Sequence, residues 1–264
     1  MRIRGIMAAA LLIALSAGTV LQAQTGSDVA DKNAQQARAA LDAMVKALGG
    51  QAWLEMKNQM RQGHIAAFYQ GKPDLGTTLY WEFHQWPGHD RMELTKHRDV
   101  LQIFLDRAGW EVTYRGKKEL PQDIVGDFLR RRDHSIETAV KVWLKDPKTI
   151  LIYEGKHVAE RHLCDQVTMI SAENEAVTIL MDADSHLPLR REFQWRDPLY
   201  KDKNTDAEEY DDYHVFAGFP TAMRITRFKN GDMFRQYYVD HVEYNQTLPT
   251  DFWDVDAAEH RIKK

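Results

Sequence analysis

The sequence predicts an α+β domain built on roughly ten antiparallel strands. Three observations carry that reading. Apolar and polar residues alternate in short runs that recur about every ten residues in both halves of the chain. Segments with apolar residues at three- and four-residue steps precede and separate those runs. Lys229-Asn230-Gly231-Asp232, set between two alternating runs, has the composition of a tight hairpin turn.

The elements follow in order. Gln24 to Lys32 is small and polar and reads as a flexible lead. Ala34 to Leu48 reads as a helix, with Ala37, Leu41, Met44, Val45 and Leu48 on one stripe and Gly49-Gly50 as its stop. Alternation begins near Ile65, breaks over Gly71 to Gly76, and resumes with Leu75, Thr77, Leu79, Trp81 and Phe83 on one face. The other face of that run carries Thr78, Tyr80, Glu82 and His84. Met92 to Leu94, Val100 to Leu105 and Trp110 to Tyr114 complete a first meander. Pro121 then opens a helix over Gln122 to Arg132, and Asp133 or Ser135 caps a second over Ile136 to Lys145. A second meander runs through Thr149–Glu154, His157–Leu163, Gln166–Ser171, Ala176–Met181, Leu187–Trp195, Met223–Lys229 and Asp232–Tyr244. Leu199 to Asp212 lacks periodicity and ends in an acidic run, so it reads as a loop.

With 264 residues, 44% of them hydrophobic and 28% charged, the chain is far from a disordered composition. Its single cysteine, Cys164, excludes an intramolecular disulfide. A net charge of −4 offers no global attraction to nucleic acid. Arg2 and Arg4, the apolar run Ile6 to Val20 and the small-residue exit Leu21-Gln22-Ala23 have the pattern of a secretory signal peptide. Cleavage after Ala23 leaves residues 24–264 as a single domain of 241 residues with net charge −6, expected in the periplasm. No cysteine adjoins the exit, so a lipid anchor is not expected.

Catalytic constellations are not found. The serines after the signal (Ser27, Ser135, Ser171 and Ser185) lie outside any nucleophile elbow. Cys164 with His162 reads as core packing. His84, His89 and His97 fall at strand ends and turns, and His157 and His162 lack metal-ligand spacing. Asp182-Ala183-Asp184 begins like a calcium loop but lacks its glycine and bidentate acid, so it reads as a strand-linking turn. No catalytic residue, metal or cofactor is therefore assigned.

The informative surplus is apolar. Leu79, Trp81, Phe83, Phe104, Trp110, Tyr114, Phe128, Trp143 and Tyr153 cluster in the first meander, the helices and the strand that follows. Such side chains fill a sheet–helix core, or line a cavity for an apolar ligand. Periodicity does not separate these two roles.

Four segments resemble the LolA-like outer-membrane lipoprotein-sorting superfamily. They are Ala40-Leu41 through Ala47-Leu48-Gly49-Gly50, Met181 to Arg191 with its Leu187-Pro188, Tyr213 to Ile225 with Gly218 and Pro220, and the closing Asn245 to Trp253. The resemblance implies a strongly curved open antiparallel sheet, a half-barrel, with helices covering its concave face. It implies a cavity there for the acyl chains of a lipid or lipoprotein, and membrane-associated donor and acceptor proteins. It further implies a cavity-facing arginine that holds the closed state, for which Arg61 and Arg91 are the strand-borne candidates. The two mid-chain helices would then act as a lid. The competing reading is a sensor or protein-interaction module on the same fold, without catalysis.

Overall fold

The computed structural model describes residues 17–159 and 161–262, and the head of the expected export signal, residues 1–16, lies outside the described residues. The described residues form one antiparallel sheet of thirteen strands rather than about ten. These are β1 (Asn58–Tyr69), β2 (Lys72–Gln85), β3 (His89–Leu94), β4 (Val100–Leu105), β5 (Ala108–Thr113), β6 (Gly116–Glu119), β7 (Ile150–Ala159), β8 (His162–Ile170), β9 (Ala176–Asp182), β10 (Pro188–Arg196), β11 (Lys203–Phe216), β12 (Phe219–Lys229) and β13 (Asp232–Tyr244). Their spatial order is β6-β5-β4-β3-β2-β1-β13-β12-β11-β10-β9-β8-β7, so each half is a meander and β1 joins β13 at the seam. The edges β6 and β7 do not meet, and the sheet stays open.

Several boundaries differ from the sequence reading. Three expected strands between Thr149 and Ser171 are two, β7 and β8. Gly155 sits where the pairing shifts register within β7, so the chain bulges there instead of turning. The expected loop Leu199–Asp212 is a short turn followed by β11. Its acids are paired into the sheet, with Asp206 and Glu208 buried and Glu209 half-buried, and only Asp211 and Asp212 are exposed. The break near Gly71 is narrower than expected, with only Gln70 and Gly71 in left-handed conformation before β2 begins.

The helices are α1 (Ala17–Leu48), α2 (Gln51–Leu54), α3 (Gln122–Asp133), α4 (Ile136–Lys141) and α5 (Val255–Ile262). The expected flexible lead Gln24–Lys32 continues α1, with Gly26 inside the helix and no proline to interrupt residues 17–48. Asn33 then ties α1 to β7: its amide donates to the Tyr153 carbonyl at 2.7 Å and accepts from the Tyr153 N–H at 2.9 Å. The second mid-chain helix ends at Lys141, and Trp143–Lys145 forms a 3-10 turn. Ser135 caps α4 by accepting from the Thr138 N–H at 3.1 Å. Among the described residues no helix is long and apolar enough to cross a membrane.

The two faces of the sheet are covered differently. On one, Leu41, Met44 and Leu48 of α1 and Ile136, Ala139 and Val140 of α4 pack on Val167, Met169, Val177 and Ile179. On the other, the C-terminal segment lays Phe252 on Met60 and Phe83, and α5 sets Ala258 on Leu101, Ile103 and Val112. Asp90 on β3 and Arg191 on β10 are six strand steps apart, roughly 29 Å in a flat sheet. Both line one cavity, so the sheet bends around α3 and α4.

Candidate functional site: a charged cavity under two helices

The site grows out of strand register. Glu82 lies opposite Arg61 in the β1–β2 pairing, and His84 lies opposite Asp90 in the β2–β3 pairing. Across the seam, Glu208 on β11 faces Arg191 on β10 and Arg227 on β12. Directly opposed residues share a face, so the pairing alone collects these charges on the side where α3 and α4 sit.

The contacts are short and buried. Arg61 meets Glu82 at 2.6 Å. Glu208 takes Arg191 at 2.8 Å through one oxygen and Arg227 at 2.6 Å through the other. The Tyr210 hydroxyl also donates to Glu208, at 2.9 Å. Burial opposes the charge on Glu208, but the two guanidiniums outweigh it and hold the carboxyl far below its usual range. Arg191 further donates to the carbonyls of Arg131 and His134, at 3.3 and 3.0 Å, which pins the α3–α4 junction to the sheet.

His84 is the second tie. One ring nitrogen meets Asp90 at 2.6 Å and the other meets Glu137 of α4 at 2.8 Å. Burial opposes protonation of the ring, but the bonds to Asp90 and Glu137 prevail and push its pKa up to about 10. Glu137 also holds Lys141, and burial, which would raise its pKa, is outweighed by His84 and Lys141. The imidazolium is thus a fixed cross-link whose two nitrogens are both engaged, with no lone pair left for base or ligand chemistry.

The pH consequence follows by linkage. A raised histidine pKa contributes its full stabilisation below about pH 6.5 and loses it as pH rises through about 10. The lowered Glu137 contributes above its ordinary value of 4.5 and fails as pH falls. Stability should therefore drop by about 2 kcal/mol between pH 6 and pH 8 on account of His84. Urea unfolding of the parent and His84→Gln chains at both pH values checks this: the variant should lose that slope, and an unchanged slope contradicts the assignment.

Three adjoining cavities lie between this face and the helices. The central one, about 160 Å³, is walled by Arg61, Glu82, His84, Arg132, Arg191 and Glu208 among others. A second, about 210 Å³, shares Arg61 and Glu208 with it and adds Leu48, Trp53, Met56, Ile136 and Ile225. A third, about 200 Å³, shares Glu82, Asp90, Phe128, Arg131 and Arg227 with the central one and adds Met92, Phe104, Ile124 and Phe234 together with Asp127 and Arg235. The space is charged at its centre, mainly apolar toward the second cavity, and mixed toward the third, where Asp90, Asp127, Arg131 and Arg235 stand among the aromatics.

The nine residues expected around a cavity are scattered. Phe104 and Phe128 come together, stacked at 3.7 Å between ring centroids, and both line the third cavity. Trp143 is buried in the core beside α1, and Tyr153 packs against that core while its hydroxyl donates to Asp165 at 2.6 Å. Trp81 and Phe83 lie on the opposite face, packed with Phe252 and Trp253. Trp110 is opposite Ile103 in register and so shares the α5 face. Leu79, half-buried, shares the face of Trp81 and Phe83, and Tyr114 is 68% exposed just past β5. Of the two arginine candidates, Arg61 faces the cavity. Arg91 borders the third cavity, but its guanidinium goes to the opposite face, where it meets Glu93 at 2.7 Å and donates to the Phe252 carbonyl at 2.5 Å.

Sequence reasoning singled out Arg61 but missed Glu82, His84, Arg191, Glu208 and Arg227 as a group, because strand pairing and helix packing bring them together; His84 and Glu137 are 53 residues apart. The available signal was the second face of β2. Tyr80, Glu82 and His84 alternate with apolar neighbours that are also covered, so a polar face was heading for burial. The Asp182 turn is as read: its carboxylate accepts from the Asp184 and Ser185 N–H groups at 3.1 and 2.7 Å.

No family model and no curated protein sequence matches the chain. Solved structures do. A DUF1329 family protein from Desulfovibrio piger aligns with TM-score 0.58 at 10% identity, covering 84% of this chain and 98% of that one. A putative outer membrane lipoprotein-sorting protein domain from Vibrio parahaemolyticus gives 0.56 at 9% identity over 84% and 99%. A LolA superfamily protein from Nitrosomonas europaea gives 0.52 at 11% identity over 84% and 98%. At these identities the likeness establishes the fold, and the fold is LolA-like.

Proposed function

We propose that this LolA-like chain is a periplasmic carrier that holds the acyl chains of a lipid or lipoprotein between its sheet and helices α3 and α4, for transfer toward the outer membrane. The observation that carries the reading is the run of three adjoining cavities, with apolar walls at Leu48, Trp53, Met56 and Ile225 and an aromatic pair at Phe104 and Phe128, under helices held to the sheet by Arg191 and His84. Burying an acyl chain gains roughly 0.8 kcal/mol per methylene, enough for tight binding by a modest apolar length. The export pattern over residues 1–23 and the fold neighbour described as a putative lipoprotein-sorting domain both support this placement. Of the expected cavity aromatics, Phe104 and Phe128 are the two we retain as ligand contacts. In this reading α3 and α4 form the lid, and membrane-associated proteins deliver and receive the cargo.

The test is uptake of a fluorescent fatty acid by the chain stripped of lipid. Saturable uptake with one ligand per chain is expected. Failure to take up any acyl probe would count against the carrier and favour the interaction module. The latter draws support from one surface feature: Ile150, Val158 and Leu163 are exposed on edge strand β7 and its neighbour β8.

A further inference from the structure

The central cavity is not electrically balanced. Arg61, Arg191 and Arg227 rise from three strands on one face, with side chains 23, 2 and 18% exposed. Among the described residues, the carboxylates that meet them are Glu82 and the shared Glu208. Three cations against two anions leave one positive charge over in a largely desolvated wall. The neighbouring phenols do not supply the missing charge, since burial pushes Tyr80 and Tyr210 upward and keeps them neutral. Two buried polar atoms of this cluster, Arg191 Nε and the Tyr80 hydroxyl, have no hydrogen-bond partner among the described residues. An uncompensated buried cation is costly, and an anion placed beside it recovers that cost.

We infer that the cavity takes an amphiphile with a single anionic headgroup, a carboxylate or phosphate monoester, received by Arg61, Arg191 and Arg227. The inference rests on the carrier reading and narrows it. Apolar space lies chiefly on one side of the cluster, at Trp53, Met56 and Ile225, while on the other Phe104 and Phe128 stand among Asp127, Arg131 and Arg235. A tail can therefore run from the headgroup along the apolar wall of the second cavity. A neutral acyl ester would leave the excess guanidinium uncompensated.

The test compares ligands with one twelve-carbon chain on the lipid-stripped full chain: laurate, dodecyl phosphate, monolauroylglycerol and dodecyltrimethylammonium, with inorganic phosphate as the tail-free anion. Laurate and dodecyl phosphate should bind at least about tenfold more tightly than the neutral and cationic chains, and their ratio shows which anion is preferred. In Arg227→Gln, which removes the excess charge, the ratio of anionic to neutral affinity should fall to about one. If that variant does not fold, the headgroup series on the parent chain decides alone. Equal affinity for all headgroups, or preference for the neutral or cationic one, overturns the headgroup assignment and leaves the carrier standing. Inorganic phosphate displacing laurate as well as dodecyl phosphate does overturns the amphiphile in favour of a small-anion site. Binding of none of the chains removes the carrier reading and this inference together.

Discussion

Glu208→Ala is expected to destabilise the chain by about 3–5 kcal/mol, the cost of breaking a buried ion network from one side. Glu208 is the only carboxylate among the described residues in contact with both Arg191 and Arg227, so its loss strands two guanidiniums under α3 and α4. Tyr210 loses its acceptor as well. A loss of that size lowers the melting temperature by roughly 10–15 °C in a chain of this length. The acid limb of the stability profile should change too. A carboxyl held below its usual pKa stabilises above about pH 4.5 and loses that contribution as pH falls. The variant should therefore unfold with a shallower dependence on acid than the parent. Thermal and urea unfolding across pH 3 to 7 measures both effects, and a change under about 1 kcal/mol contradicts the buried network.

Phe252→Ala should cost about 3–5 kcal/mol through a different route, the emptying of an aromatic site on the far face of the sheet. Phe252 packs edge-on against Phe83 at 4.8 Å and against Trp253 at 5.0 Å, with the Arg91 guanidinium 4.5 Å from its ring centre. Arg91 also holds its carbonyl, so the ring and the backbone are clamped at one point. Release of the ring should loosen the segment from Leu248 to Ile262, including α5, before the sheet unfolds. Limited proteolysis should then cut the variant within that segment while the parent resists. Equal resistance in both chains would mean that α5 alone secures the terminus.

These two residues show what the sequence reveals and what it does not. The apolar stripe of Leu41, Met44 and Leu48 requires a covering partner by its spacing alone, and it finds β8 and β9. Asn230-Gly231 is legible as a turn because both residues tolerate left-handed backbone, and both adopt it, with φ of 53° and 86°. The apolar face of β2 was also legible as a face. Which partner covers it was not, because the C-terminal segment that does so lies more than a hundred residues away. Glu208 looked like one member of an acidic run, since strand alternation in a row of acids leaves no apolar contrast to read. Its partners become visible only through cross-strand register, which hydrophobic patterning on the buried side does not specify when that side is polar.

As a carrier, this chain would hold an amphiphile in the space between its sheet and helices α3 and α4. Mass spectrometry of the purified chain, first under native conditions and then after organic extraction, tests it most directly. The expected result is a stoichiometric mass increment that extraction removes and resolves into an acylated molecule. A chain that carries no such ligand as purified, and acquires none when mixed with bacterial lipid extract, would contradict the claim.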